Sequence, residues 1–199
     1  MVPPAAPPAS PEIPANGSRP PERVDAGPVV LRRVRAADAA AIAAAVSASL
    51  DYLRPWMPWA TPDAASRPTQ LARVEEADQM WEAGTSHIYS VLRADLGTLV
   101  GEIGLHRRAD EGSVEIGYWI AAGQAGQGFG TLAAGAITSV ALALPGVSQV
   151  EIHCDEANGA SAAIPRKLGY RLDRIETRMP EAPGETGRLM IWVRTRSAE

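Results

Sequence analysis

Gly126, Gly128 and Gly130 stand two residues apart, after an apolar run that ends at Ile120. Phe129, Leu132, Ala133, Ala136, Ile137, Val140 and Leu144 overlap them and continue at helical spacing. Without Cβ atoms, successive backbone N–H groups at such a turn can converge on an anion, and a helix start adds partial positive charge. The ligand this suits is a pyrophosphate. A tight turn with no ligand is the other reading. A Walker A loop would need Gly-Lys-Ser/Thr, and Phe129 follows Gly128. The dinucleotide fingerprint would need its third glycine where Thr131 stands, in the first unit of a βαβ series, so a nucleotide-dependent oxidoreductase stays only a remote alternative.

Other side chains could contribute acid–base chemistry. Glu102, in Gly101-Glu102-Ile103-Gly104, and Glu115, in Glu115-Ile116-Gly117-Tyr118-Trp119, are carboxylates on neighbouring strands. Each could serve as a base or simply form a cross-strand pair. Ser161 offers a hydroxyl near a helix start, and Asn158 suits the cap of that helix. Trp56, Met57, Trp59 and Tyr118 could line a pocket; Trp119 has the opposite strand parity to Tyr118 and should face the other way. Cys154 alternates with Val150 and Ile152, which makes it a buried structural thiol. His87, His106 and His153 show no metal-ligand spacing and read as structural or surface residues, so no metal is implied.

The elements that must position these residues follow from periodicity. A strand at 29–34 and a helix at 36–50 precede an aromatic loop, Leu53 to Ala60, broken by Pro55 and Pro58. A polar helix at 69–83 leads into strands at 88–93, 98–107 and 113–121, joined by turns at 95–97 and 109–112. The helix after the glycines ends at Pro145-Gly146; a strand at 147–154, a helix at 158–168 and strands at 169–178 and 188–194 complete the chain. The pattern is one α+β domain over 28–199. Residues 1–27, rich in Pro and Ala, lack the large apolar side chains to offset their own ordering and are expected as a flexible tail.

Composition narrows the function. A net charge of −4 without a dense basic stripe argues against nucleic acid as the main ligand, although Arg32, Arg33 and Arg35 form one local patch. One cysteine excludes an intramolecular disulfide and agrees with a cytoplasmic protein. No stretch approaches the ~18 apolar residues of a membrane span.

With these residues in place, the chain resembles the Gcn5-related N-acetyltransferase (GNAT) superfamily. Ala125-Gly126-Gln127-Gly128-Phe129-Gly130 is similar to its Arg/Gln-x-x-Gly-x-Gly/Ala loop, with Ala125 where Arg or Gln is usual. Leu53-Arg54-Pro55-Trp56-Met57-Pro58-Trp59, Glu115 to Trp119, and Asn158-x-x-Ser161 with Lys167-Leu168-Gly169-Tyr170 resemble segments of its RimJ/RimL-like branch. The resemblance implies a mixed, mostly antiparallel sheet flanked by helices and splayed after the fourth strand. It implies acetyl-CoA as acyl donor, held by Ala125 to Thr131 and along Tyr118, Trp119, Ile120, Ala121 and Ala122, with Asn158 and Ser161 near its arm. Glu115 matches the general-base position of Gcn5-type enzymes, with Glu102 as second choice. Pro165 stands where a tyrosine acid is usual, which leaves Ser161 as the candidate at the sulfur. The expected partner is an amine, a small molecule or a protein N-terminus, with homodimer assembly left open; a non-catalytic acyl-CoA-binding module is the alternative from another class.

Overall fold

The computed structural model describes residues 19–108 and 112–196. Its alternating apolar runs form one eight-stranded sheet, in the order β1-β2-β3-β4-β5-β6-β8-β7. The strands are β1 (Arg23–Ala26), β2 (Val29–Arg33), β3 (Ser86–Arg93), β4 (Leu99–Arg107), β5 (Ser113–Ile120), β6 (Gln149–Asp155), β7 (Arg171–Thr177) and β8 (Arg188–Thr195). The helices are α1 (Ala39–Ser47), α2 (Leu50–Leu53), α3 (Arg67–Ala83), α4 (Phe129–Ala143) and α5 (Gly159–Lys167). The architecture is the α+β one expected from the sequence.

Strand alternation gives the sheet two apolar faces. Ile103, Leu105, Ile116 and Ile152 pack with Phe129, Ala133 and Ile137 of α4 in the larger core. Ile88 and Trp119 point the opposite way, toward Ile42 and Val46 of α1 and Val74 and Ala77 of α3. β5 and β6 are the one parallel pair, and they stay paired only from Ser113 with Gln149 to Glu115 with Glu151. Past Glu115 the two strands diverge into an open V. The splay expected after the fourth strand falls after β5, because β1 adds a strand that periodicity did not count.

β1 lies within the stretch 1–27 expected as a tail. Its Val24 and Ala26 pack partly against the α4-side core, Pro21 C=O accepts the buried Tyr89 hydroxyl at 2.9 Å, and Glu22 pairs with Arg33 at 3.0 Å. Four backbone pairs and these contacts outweigh the low apolar content of the segment. Residues 1–18 lie outside the described residues, as does most of the turn expected at 109–112.

The helix expected over 36–50 breaks into a 3-10 turn, α1 and α2. At the break, Ser49 is buried and its Oγ accepts the Ala122 N–H at 3.0 Å, tying this corner to the exit of β5. Among the described residues, no helix is long and apolar enough to cross a membrane. Two of the three arginines of the basic patch are paired: Arg32 with Asp38 at 2.7 Å, and Arg33 with Glu22, Asp78 and Glu82 while lying over the Trp81 ring.

Candidate active site

Two cavities open into the V from opposite sides. One, of about 380 Å³, runs along the glycine turn, β5 and α5. The other, of about 650 Å³, lies beneath the aromatic loop and over the α3-side face of β4 and β5. They share Trp56, Met57, Tyr118, Trp119, Asn158 and Ser161.

The glycine turn is built for close approach of a ligand to the main chain. Gly126 and Gly128 take φ values of +76° and +84°, which side chains with a Cβ rarely adopt, and a Cβ at either would meet nothing within 4 Å. Gly130 has a different reason: its missing Cβ leaves room for Ile164 of α5 and Ile120 of β5, at 3.1 and 3.4 Å. The first helical bond of α4 runs from Leu132 N–H to Gly128 C=O. Among the described residues no acceptor takes the N–H groups of Gly126 to Thr131, and all of these residues but Gln127 line the cavity at the start of α4. Gln124 lines the same cavity, and its Oε1 is buried without a hydrogen-bond partner.

The strand beside this turn offers a half-open main chain. A Cβ at Gly101 would collide with the Trp119 carbonyl oxygen, so Trp119 faces β4 through its backbone, and Ala121 N–H donates to Val100 C=O at 2.8 Å. By alternation, the main-chain groups of Tyr118 and Ile120 face the unpaired edge of the V. Of the five residues from Tyr118 to Ala122 expected along a cofactor arm, these two are open. Trp119, Ala121 and Ala122 have theirs engaged.

At the junction, Pro165 has a local consequence. It sits inside α5 and has no N–H, so the Ser161 carbonyl lacks its i+4 donor. The Tyr118 hydroxyl donates to that carbonyl at 3.2 Å and lies 3.1 Å from Ser161 Oγ. Burial pushes the Tyr118 phenol well above its ordinary pKa, so it stays protonated at neutral pH. Asn158 caps α5, its Oδ1 accepting from Ser161 N–H at 3.0 Å. Tyr170 is in the core with its hydroxyl on Thr138 at 2.6 Å, and burial raises it to about 12. Burial also raises the thiol of Cys154, which suits an inert core residue.

The floor of the larger cavity carries the charges. Glu102 is buried, receives Arg73 Nη2 on both oxygens at 2.6 Å, and accepts the Trp119 indole N–H at 3.1 Å. Glu115 is half-buried at the vertex of the V, with Arg108 Nη1 at 2.9 Å and His153 Nδ1 at 3.7 Å. His153 Nε2 reaches Glu151 at 2.6 Å. From the sequence all three histidines are expected to be structural or surface residues. His87 is indeed a core residue, packed edge-on against Trp81, but His106 and His153 line this cavity.

The aromatic loop is fixed from both ends. Trp59 packs edge-on against Trp119 with centroids 6.0 Å apart, and Gln70 of α3 donates to Ala64 C=O at 2.6 Å while accepting from Arg73 at 2.8 Å. From the far side, Gly184 N–H donates to Pro55 C=O at 2.8 Å, an approach that a Cβ at Gly184 would block. The β7–β8 loop carrying Gly184 is held in turn by Asp155, which accepts from Thr186 and Gly187. Burial alone would raise that carboxyl, but these bonds and the one from Ala157 N–H outweigh it and lower its pKa. Arg73 and Gln124 were not singled out from the sequence, Arg73 because it belongs to the site only through Glu102 on another element, and Gln124 because nothing in its local pattern marks it. Lys167, the chain's one lysine, lines the smaller cavity and could have been weighed from its segment.

Known proteins place this geometry. A family model described as an acetyltransferase (GNAT) domain matches residues 29–171. RimL, a ribosomal L7/L12 alpha-N-protein acetyltransferase solved with coenzyme A, is similar with a TM-score of 0.79 at 18% identity, over 87% of this chain and 98% of that one. RimJ of Mycobacterium smegmatis, solved with CoA-disulfide, gives 0.77 at 24% identity, over 87% and 84%. The ribosomal-protein-S5-alanine acetyltransferase from Vibrio fischeri gives 0.78 at 14% identity, over 87% and 96%. No curated protein shows a significant sequence match. At these identities the structures attest the fold, while the family match covers most of the sheet, the whole lining of the smaller cavity and most of that of the larger. The chain therefore belongs to the GNAT family, with a RimJ/RimL-like fold, and is an acetyl-CoA-dependent N-acetyltransferase.

Proposed function

We propose that the protein moves an acetyl group from acetyl-CoA to a primary amine within a ternary complex, with a protein N-terminal α-amine as the first acceptor class to test and small-molecule amines as the second. The observation that carries this reading is the meeting of two cavities at Tyr118, Asn158 and Ser161. Two substrates entering from opposite sides can react there directly, with no covalent enzyme intermediate.

On the donor side, the free amides from Gly126 to Thr131 fit a pyrophosphate, the open main chain of Tyr118 and Ile120 fits an amide-bearing arm, and the unpartnered Gln124 Oε1 fits one more donor group on the ligand. The bound thioester supplies an activated acetyl group. Ser161 Oγ, steadied by Tyr118, is placed to hydrogen-bond the leaving sulfur, and Asn158 holds the helix that carries it. On the acceptor side, Trp56, Met57 and Trp59 would wall the pocket, and Glu115 supplies negative charge for an incoming ammonium. Glu102, whose oxygens both bind Arg73, is suited to anchoring Trp119 rather than to taking up a proton.

Free-thiol release from acetyl-CoA, measured with a panel of N-terminal peptides and small amines, tests the reading. Saturable, amine-dependent release is expected. Tight CoA binding with no release for any amine would return the protein to the class of non-catalytic acyl-CoA-binding modules. Thermal stabilisation by NAD and not by CoA would reopen the oxidoreductase alternative.

A further inference from the structure

The floor of the larger cavity is laid out in cross-strand pairs: Glu102 opposite Trp119, Gly104 opposite Gly117, and His106 opposite Glu115. Two glycines facing one another leave a gap in the side-chain layer, which the Ile88 side chain and the His106 ring enter. A Cβ at Gly104 would come within 2.7 Å of His106 Nε2, and one at Gly117 within 3.4 Å. From β3, Ser86 Oγ lies 2.9 Å from His106 Nδ1. With Nδ1–H donating to Ser86, Nε2 keeps its lone pair, and it makes no hydrogen bond among the described residues. That nitrogen lies over Gly117, on the α3-side face of β5, and His106 lines the larger cavity.

The carboxylates of the floor are engaged to different degrees, and among the described residues Glu115 Oε1 has no hydrogen-bond partner. Glu102 is held through both oxygens and Glu115 through Oε2 by Arg108. An ordinary imidazole is also about two pK units more basic than an ordinary carboxylate. Burial is the largest influence on His106 and lowers its pKa; Glu115 across the strand pair opposes this, and Arg108 reinforces it. His153 meets Glu115 from β6, and His87 is the nearest titratable neighbour on β3.

We propose that His106 Nε2 accepts the proton of the incoming amine, with Glu115 as the counter-charge of the resulting imidazolium. This rests on the acetyltransferase reading. In the step, the ammonium gives one proton to Nε2, and the electron pair so freed on nitrogen forms the bond to the acetyl carbon. The carbon–sulfur bond breaks with its pair going to sulfur, and the second N–H proton, lost as the amide forms, goes to that sulfur to give the free thiol. The paired glycines leave the space into which the ring leans, and Ser86, bonded at Nδ1, holds its orientation.

The test compares wild type, His106→Gln and His106→Ala in the thiol-release assay from pH 6 to 10, with acetyl-CoA affinity and melting temperature measured alongside. His106→Gln should lower kcat at pH 7 by about 10²- to 10⁴-fold at unchanged acetyl-CoA affinity and recover as the amine loses its proton unaided. Free imidazole should partly restore His106→Ala, which a purely structural role would not allow. Wild-type rate in folded His106→Gln would overturn the proposal and leave the function standing. If wild type acetylates no amine, the function falls and the proposal with it. Should both variants misfold, ring-nitrogen NMR of wild type decides: a neutral His106 with Nδ1–H at pH 7 supports the assignment, and the Nε2–H tautomer or an imidazolium refutes it.

Discussion

Gly128 gives the most direct check of the glycine turn, because charge and backbone effects separate there. Its φ of +84° would strain any residue with a Cβ, by about 1–2 kcal/mol of folding stability, and the strain is similar for Asn and Asp. Nothing lies within 4 Å of the added Cβ, so neither side chain clashes with the protein. An anion seated on the neighbouring amides would lie roughly 5 Å from the carboxylate that Gly128→Asp introduces. At an effective dielectric of about 40, each unit of anionic charge is repelled by about 1.7 kcal/mol, so a pyrophosphate loses about 3 kcal/mol, or roughly 100-fold in affinity. Acetyl-CoA titration calorimetry on Gly128→Asp and Gly128→Asn should show that gap between the two variants, shrinking as salt is raised. Equal affinities in two folded variants would mean that no anion sits on this turn.

Other perturbations have equally definite outcomes. A chain starting at Pro28 should be less stable than one starting at Arg19 by about 3 kcal/mol in urea unfolding, since β1, the Tyr89–Pro21 bond and the Arg33–Glu22 pair all go; equal midpoints would make β1 an ornament. Ser161→Ala should slow thiol release about ten- to a thousandfold across the whole pH range, as expected for a group at the sulfur and not at the amine, whereas weaker CoA binding at normal rate would make Ser161 a cofactor ligand only. His87 is buried with Nε2 unpartnered, and burial first, then nearby arginines, lower its pKa from 6.5 to about 4. The unfolded chain therefore binds the extra proton between those values: the stability is present above pH 6.5 and is lost as pH falls toward 4, by about 3 kcal/mol. His87→Phe, measured by urea unfolding at pH 7 and 4.5, should flatten that dependence.

Strand and helix periodicity, the turn at Gly126 to Gly130 and the segments around Glu115 and Asn158 were legible in the chain because each is a local pattern, set by side-chain alternation, helical spacing or the absence of a Cβ. β1 was not: it pairs locally with β2, but its apolar contacts, from Val24 and Ala26, are with the α4-side core, and Pro21 and Glu22 before it are held by Tyr89 and Arg33. The break at Ser49 escaped for the same reason, its hydroxyl serving Ala122 on another element. Glu102 and His106 show the difference most clearly. As residue types, both were plain in the sequence, one a candidate base and the other a bystander. Packing gives them different surroundings: Arg73 from α3 binds both oxygens of the carboxylate, and two facing glycines lie beneath the imidazole. A residue's capacity for proton transfer belongs to its type, but whether its lone pair is free depends on neighbours that only the folded sheet brings together.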